Sequence, residues 1–106
     1  MVKRFDIYLV NLDDEISTDA KNTRPCVVVS PDEMNDYVPH LLIAPISSAS
    51  TTYPTRVPIE LLNSKRQIIL DQIHTVDGER LVKKIGELDA PARKATIDTL
   101  QEFFAG

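Results

Sequence analysis

A run of four apolar residues between two proline-containing segments constrains the fold of this chain more than any other feature. Residues 26–29 read Cys-Val-Val-Val, preceded by Arg24 and Pro25 and followed by the turn sequence Ser-Pro-Asp at 30–32. Small and β-branched residues bounded in this way are typical of a strand that is buried on both faces. Because Pro25 cannot donate to a β ladder and favours an extended Arg24, we expect these residues to begin a central strand and to leave Arg24 at its exposed end.

The other apolar segments predict further strands and one helix at the end of the chain. Asp89 is a suitable helix cap, and Pro91 fits the first turn. Strands first and a helix last, without alternating β and α elements, favour a mainly β fold with a C-terminal helix (α+β), built as a small, largely antiparallel barrel. A chain of 106 residues is long enough for one core, so we expect a single domain over residues 1–106. The predicted strands are 5–12, 26–29, 41–46, 55–59, 67–76 and 81–88. Residues 55–59 are expected at an edge, and a helix is the alternative for 81–88. The predicted C-terminal helix places Arg93, Ile97, Leu100 and Phe104 on one stripe.

Composition and missing motifs narrow the functional classes. The formal net charge of −4 argues mildly against non-specific duplex binding but leaves room for a local basic groove. One cysteine permits no internal disulfide, and two histidines give no cluster at metal-ligand spacing. The chain lacks a P-loop, an HExxH motif and paired CxxC motifs, so we expect no metal and no cofactor. No apolar stretch is long enough to span a membrane and no signal peptide is visible, which favours a cytoplasmic location.

Two polar side chains at predicted strand ends form the first candidate site. If the strands that carry Arg24 and Ser47 are neighbours, a guanidinium and a hydroxyl converge on one small anion, for which phosphate is the natural ligand. Two alternatives remain open. Arg24 could instead pair with a loop carboxylate such as Asp19, and the Ser47 hydroxyl could cap a turn.

Three further residues have chemistry that could serve a site. Asp71 follows a buried apolar segment, so its carboxylate needs partners, either at a site or as a structural acceptor for loop amides. His74 could titrate near neutral pH and act as an acid or a base. Cys26 lies in the buried strand, which favours a packing role over a nucleophilic one.

Five sequence blocks resemble the MazF/PemK family of toxin endoribonucleases, the mRNA interferases of type II toxin-antitoxin systems. In chain order the blocks are RFDIYLVNLD, NTRPCVVVS, LLIAPISS, ILDQIHTVDGERL and KKIGEL. The resemblance implies a small SH3-like barrel with a C-terminal helix, in the class of the MazF and CcdB toxins. It also implies a homodimer that cuts single-stranded RNA without a metal, leaving a 2′,3′-cyclic phosphate and a 5′-hydroxyl, and an antitoxin partner with a disordered tail.

The resemblance also implies roles for individual residues. Arg24 matches the catalytic arginine of the family's TRP motif, and Ser47 takes the place of a threonine found in many members. Asp71 matches an aspartate that some members use at the site, whereas His74 stands where arginine is common, so both are candidates for catalysis or for supporting the site. Tyr53 could stack on a base. The full set of candidate RNA-binding residues is Asp19, Lys21, Thr23, Ser48, Tyr53, Gln72 and Thr75.

The chain departs from the family pattern near its start and in its first loop. Phe5 replaces a glycine, which alters how closely backbone or RNA can approach. Residues 17–20 replace the usual GxEQ sequence, so loop contacts carry over poorly. Two alternative functions therefore stay open: a CcdB-like toxin that binds DNA gyrase, and a catalytically inactive barrel that only binds.

Overall fold

The computed structural model describes residues 1–12, 22–48 and 53–105. These residues form seven strands and two α-helices, with short 3₁₀ turns at Leu70–Gln72 and Gly78–Arg80. The strands are β1 (Asp6–Asn11), β2 (Thr23–Val28), β3 (His40–Ser47), β4 (Arg56–Leu61), β5 (Ser64–Ile69), β6 (His74–Asp77) and β7 (Leu81–Glu87), and the helices are α1 (Asp32–Tyr37) and α2 (Ala90–Phe104). No helix among them is long and apolar enough to cross a membrane.

The sheet is organised around β3, which has neighbours along both sides. β2 pairs with residues 43–45 of β3 on one side. On the other side β6 pairs with residues 40–43 and β5 with residues 46–47. The strand order is β4-β5-β3-β2-β1-β7 with β6 attached to β3, and the pairs are antiparallel. This curled half-barrel with a C-terminal helix confirms the predicted fold class, including the edge position of β4.

The sheet buries apolar side chains on both faces. The inner face, which α2 covers, carries the larger cluster, in which Val27 and Ile68 are fully buried and Ile97 of α2 packs against them. The outer face carries a smaller cluster that includes Cys26 and Ile43. Each fully buried aliphatic side chain contributes roughly 1.5–3 kcal/mol. The prediction of a strand buried on both faces at 26–29 is therefore confirmed, since Cys26 and Val27 point to opposite clusters.

The start of β2 differs from the prediction. The strand begins at Thr23, so Arg24 and Pro25 lie within it and not at its first residue. The physical reason is the pairing of this end of β2. Residues 23–25 pair with β1, whereas the ladder to β3 stops at Cys26. A proline without an N–H is tolerated where one side of the strand has no ladder.

The predicted continuous strand over residues 67–76 is wrong. β5 ends at Ile69, a 3₁₀ turn covers Leu70–Gln72, and β6 begins at His74. Within this turn the carboxylate of Asp71 accepts a hydrogen bond from the Thr55 hydroxyl at 3.0 Å. Before the turn, β5 pairs with residues 46–47 of β3, and after it β6 pairs with residues 40–43. The turn lets the chain move from one part of β3 to the other.

The terminal helix begins as predicted but its apolar stripe is shorter. The Asp89 carboxylate accepts the Ala92 N–H at 2.9 Å, which caps the first turn. Arg93 donates to the Leu88 carbonyl at 2.7 Å and joins the helix to the end of β7. Phe104 belongs to the helix as predicted but is 73% exposed. The part of the stripe that packs against the inner cluster therefore ends at Leu100.

Phe5 occupies a backbone conformation that favours glycine. Its φ is 74°, in the left-handed region. Its ring is only 8% exposed and belongs to the inner cluster, where the guanidinium groups of Arg4 and Arg93 lie 5.2 and 5.7 Å from the ring centroid. Phe5 therefore holds a backbone conformation that glycine adopts without strain, and its side chain faces the core.

Candidate functional site

Arg24 and Ser47 lie on neighbouring strands, just beyond the end of the ladder that joins β2 and β3. β2 and β3 are neighbours, and Cys26 pairs with Pro45 at the end of their ladder. Arg24 precedes Cys26 by two residues and Ser47 follows Pro45 by two, so the antiparallel register, if continued, sets Arg24 opposite Ser47. Side chains alternate along a strand, which puts both residues on the same face as Cys26. The sheet therefore provides the neighbouring strands on which the candidate site depends.

The Arg24 side chain is exposed. No carboxylate within residues 1–12, 22–48 and 53–105 forms an ion pair with it, unlike the arginines at 56 and 93. The alternative in which Asp19 pairs with Arg24 lies outside the described residues. An exposed guanidinium on a rigid strand is well suited to bind phosphate, because its forked donors match phosphate oxygens.

Asp71 lies in a cluster of side chains next to β4. Its Oδ1 accepts hydrogen bonds from Thr55 Oγ1 at 3.0 Å and from Arg56 Nε at 3.4 Å. Desolvation opposes ionisation, but the hydrogen bonds from Arg56 and Thr55 and the charge of Arg56 outweigh it, so the pKa of Asp71 lies below its usual value. The guanidinium of Arg56 also lies 4.5 Å from the ring centroid of Tyr53. A backbone hydrogen bond also lowers the pKa of Asp71. Its carboxylate therefore accepts from the side chains of Thr55 and Arg56 and from the backbone.

Replacing Asp71 with asparagine should lower the free energy of unfolding near neutral pH by less than about 1 kcal/mol, because an exposed ion pair contributes little. The pKa of Asp71 is lowered in the folded state. Its carboxylate therefore stabilises the fold above the unfolded pKa, and this contribution disappears as the pH falls through the folded pKa. Urea unfolding of both proteins along a descending pH series measures the difference. A difference that stays constant or grows in acid would contradict the assigned ion pair.

His74 lies further along the sheet than Arg24 and Ser47, about four residues from Ser47 along β3. It is exposed on β6 opposite Ile43, and its Nδ1 lies 2.9 Å from the Gln72 carbonyl. Ile43 precedes Ser47 by four residues, which is about 13 Å along a strand at roughly 3.3 Å per residue. Asp71 is likewise four residues beyond Gln67, the partner of Ser47 on β5. The structure therefore places Arg24 and Ser47 on neighbouring strands and the same face, and it leaves His74 and Asp71 further along the sheet.

The other candidate RNA-binding residues fall into three groups. Thr23 is half-buried and adjoins Arg24 on β2, while Ser48, Gln72 and Thr75 are exposed. Tyr53 is 49% exposed, so one side of its ring is accessible for stacking. Asp19 and Lys21 lie outside the described residues. The sequence reasoning missed Gln67, whose polar side chain interrupts an otherwise apolar segment, and Arg56, which precedes a short edge strand.

Cys26 is fully buried, and burial raises the pKa of its thiol to about 12. The thiolate is the reactive form of cysteine. At mildly alkaline pH we therefore expect a thiol-reactive reagent to modify Cys26 at least about a hundredfold more slowly in the native protein than in the urea-unfolded protein. Reaction rates measured in the two states test this directly. Equal rates would show that Cys26 is accessible and would overturn its packing role.

The described residues include no group of three or more His, Cys, Asp or Glu side chains that could hold a metal ion. The candidate site thus consists of a cationic and a hydroxyl side chain on adjacent strands. Such a pair can bind a phosphate diester and stabilise negative charge on its oxygens.

Comparisons with known proteins find relatives in both sequence and fold. A family model described as a PemK-like, MazF-like toxin of type II toxin-antitoxin systems matches residues 3–104. The endoribonuclease MazF of Staphylococcus epidermidis is 33% identical over 91 residues, which cover 80% of this chain and 76% of that protein. An endoribonuclease solved in complex with its cognate antitoxin, from a mycobacterial species, superposes with a TM-score of 0.82 at 18% identity, covering 99% of this chain and 96% of that one. MazF from Deinococcus radiodurans superposes with a TM-score of 0.78 at 18% identity, covering 99% and 97%.

Proposed function

Because the chain belongs to the PemK-like, MazF-like toxin family of type II toxin-antitoxin systems, we propose that it is a sequence-specific endoribonuclease that cleaves single-stranded RNA. The observation that carries the proposal is the exposed Arg24 on β2, whose side chain alternates onto the same sheet face as Ser47 of the neighbouring strand β3. Membership of the family supplies the reaction class. The family resemblance and the neighbouring strands support the residues that we assign to it.

The proposed mechanism uses the nucleophile that RNA itself carries. The 2′-hydroxyl attacks the neighbouring phosphorus in line, which yields a 2′,3′-cyclic phosphate and releases the 5′-hydroxyl of the next nucleotide. Arg24 holds the non-bridging oxygens, and its interaction strengthens as negative charge grows on them. Ser47 adds a hydroxyl donor. A guanidinium carries N–H donors and no acceptor, so we assign Arg24 to the stabilisation of charge and assign no general base.

The chemistry needs no metal or cofactor in this proposal, because the guanidinium supplies the positive charge that the transition state requires. The partners that we propose follow from the family: a second copy of the chain in a homodimer, and an antitoxin with a disordered, acidic tail. Such a tail would compete with RNA for Arg24 by charge complementarity. The RNA substrate makes the cytoplasm the expected location.

Incubation of the purified protein with a long mixed-sequence RNA in EDTA tests this function. We expect cleavage at a limited set of sites, with cyclic phosphate at one new end and hydroxyl at the other, and no cleavage of DNA of the same sequence. Intact RNA, or cleavage that requires added metal, would contradict the proposal. A gyrase supercoiling assay with the same preparation is the control for the alternative CcdB-like activity, and we expect no inhibition.

A further inference from the structure

Gln67 lies beside Ser47 on the outer face of the sheet. In the β3–β5 ladder Ser47 pairs with Gln67, and in the β4–β5 ladder Gln67 pairs with Pro58. The next residue, Ile68, is fully buried in the inner cluster. Because side chains alternate along a strand, the Gln67 side chain belongs to the outer face together with Ser47.

A single row of residues therefore crosses the outer face. Val10 on β1 pairs with Arg24 on β2, and Ser47 on β3 pairs with Gln67 on β5. The β2–β3 ladder ends two residues before Arg24 and Ser47, at Cys26 and Pro45, and its register, if continued, would join the two pairs. Paired strands are about 4.8 Å apart, so on that register the backbone of Gln67 would lie about 10 Å from that of Arg24. A phosphate bound at Arg24 and Ser47 would bring a neighbouring part of the same RNA strand to Gln67.

The amide of Gln67 lacks a partner within the part of the chain that the structure describes. Its Oε1 is buried and accepts no hydrogen bond, although the residue as a whole is only half-buried. Buried polar atoms are normally hydrogen-bonded, and an orphaned one requires an explanation. Packing does not explain why a glutamine stands here, because a β-branched apolar side chain would suit this strand position better. Because this Oε1 is buried, pairing with a base requires the half-buried side chain to turn its amide outward, next to the proposed catalytic pair.

We propose that Gln67 determines specificity by hydrogen-bonding the edge of a base adjacent to the cleaved bond, and that this base is adenine. A glutamine amide offers one donor and one acceptor side by side, and this pattern matches the amine and ring nitrogen of adenine. The inference rests on the proposed ribonuclease function, because it assigns a substrate contact to that same site. It adds a residue that reads sequence to residues that bind phosphate.

Two substitutions at Gln67 and one matched control test the assignment. Q67L removes both hydrogen-bonding groups at similar volume. Q67E keeps the acceptor and removes the donor. Q101L makes the same chemical change as Q67L at an exposed position of α2. Each protein is incubated with the same long mixed-sequence RNA, and sequencing of the cut ends gives the base preference at every position around the cut.

At the one position that specifies adenine, we expect the preference of Q67L for adenine over the other bases to fall by about 5- to 150-fold. This is the range for loss of a bidentate contact to a base, and the other positions should keep their preference. Q67E should shift that position towards cytosine, whose amine donates to a carboxylate. Q101L should match the wild type. Thermal unfolding of all four proteins shows whether the variants are folded.

The outcomes separate this inference from the function on which it rests. Wild-type protein that cuts RNA, together with folded Q67L and Q67E that keep its preference at every position, would overturn the role of Gln67 alone. An equal loss of rate at all sites would assign Gln67 to stability or catalysis and would also overturn it. Relaxation at a position that specifies another base would overturn the choice of adenine. Wild-type protein that leaves RNA intact would remove both proposals.

Discussion

Replacing Arg24 with alanine should lower kcat/KM for cleavage at the preferred RNA site by about a thousandfold, at the upper end of the range for loss of one preorganised donor to developing charge. The side chain is exposed and forms no ion pair with the described residues, so its removal leaves the packing unchanged. The lost interaction is the one that strengthens as charge builds on the phosphate oxygens. The effect should therefore appear in kcat as well as in KM.

Single-turnover cleavage of an RNA that contains the preferred site measures this loss. K65A is the matched control, because it removes one positive charge from an exposed position on β5. We expect K65A to retain activity within about threefold, since general attraction to RNA is spread over many charges. R24K should recover only part of the activity, because an ammonium group lacks the forked donors of a guanidinium. S47A should lose about ten- to a hundredfold, as for a single hydrogen bond to a charged group.

Cleavage by R24A at the wild-type rate would contradict the catalytic role assigned to Arg24. A loss in K65A as large as that in R24A would point to electrostatic binding and not to stabilisation of the transition state. Far-UV circular dichroism and thermal unfolding of each variant establish that the compared proteins are folded.

Replacing Phe5 with alanine should destabilise the protein more than replacing it with glycine, which reverses the usual order of these two residues. Both changes remove a ring that is 8% exposed, at a cost of about 3–5 kcal/mol for the alanine variant. Alanine keeps the unfavourable φ of 74°, whereas glycine adopts it without a steric penalty. We expect F5G to be more stable than F5A by about 1 kcal/mol and less stable than the wild type by about 2–4 kcal/mol.

Equilibrium unfolding in urea gives the three free energies, and F5L serves as the control that keeps most of the buried volume and the backbone strain. F5L should lie between the wild type and F5A. If F5A equals or exceeds F5G in stability, the positive φ at this position carries no energetic cost. In that case the glycine of the family pattern would need another explanation.

The local pattern of the sequence determined the positions of most elements. The small and β-branched residues at 26–28 lie in a strand that is buried on both faces, and Val29, which was predicted to belong to it, follows the end of the strand. The carboxylate of Asp89 caps the helix that was predicted after it. Burial of Cys26 followed from the same run of apolar residues. These predictions succeeded because they depend on side-chain alternation, turn residues and caps, which act over a few neighbouring residues.

The family resemblance supplied the function class and the candidate residues, and the paired strands supplied their arrangement. Whether Arg24 and Ser47 face the same way depends on which residues of β2 and β3 pair, and those residues lie 15 to 19 positions apart in the sequence. The same holds for Gln67, which became a candidate only when its partner on β3 proved to be Ser47. A sequence pattern predicts a strand but does not name its partner.

Two elements show where tertiary structure overrode the local pattern. The apolar segment over residues 67–76 predicted one strand, yet β3 offers it two separate stretches to pair with, and the chain turns between them. Phe5 has a side chain that avoids positive φ, yet its ring fills the inner cluster and the backbone bends to place it there. The sequence by itself determined which residues form strands, which side chains are apolar enough to be buried and where the helix begins. Register, strand partners and the backbone angle at Phe5 were decided only in the folded molecule, because they arise from contacts between residues that are far apart in the chain.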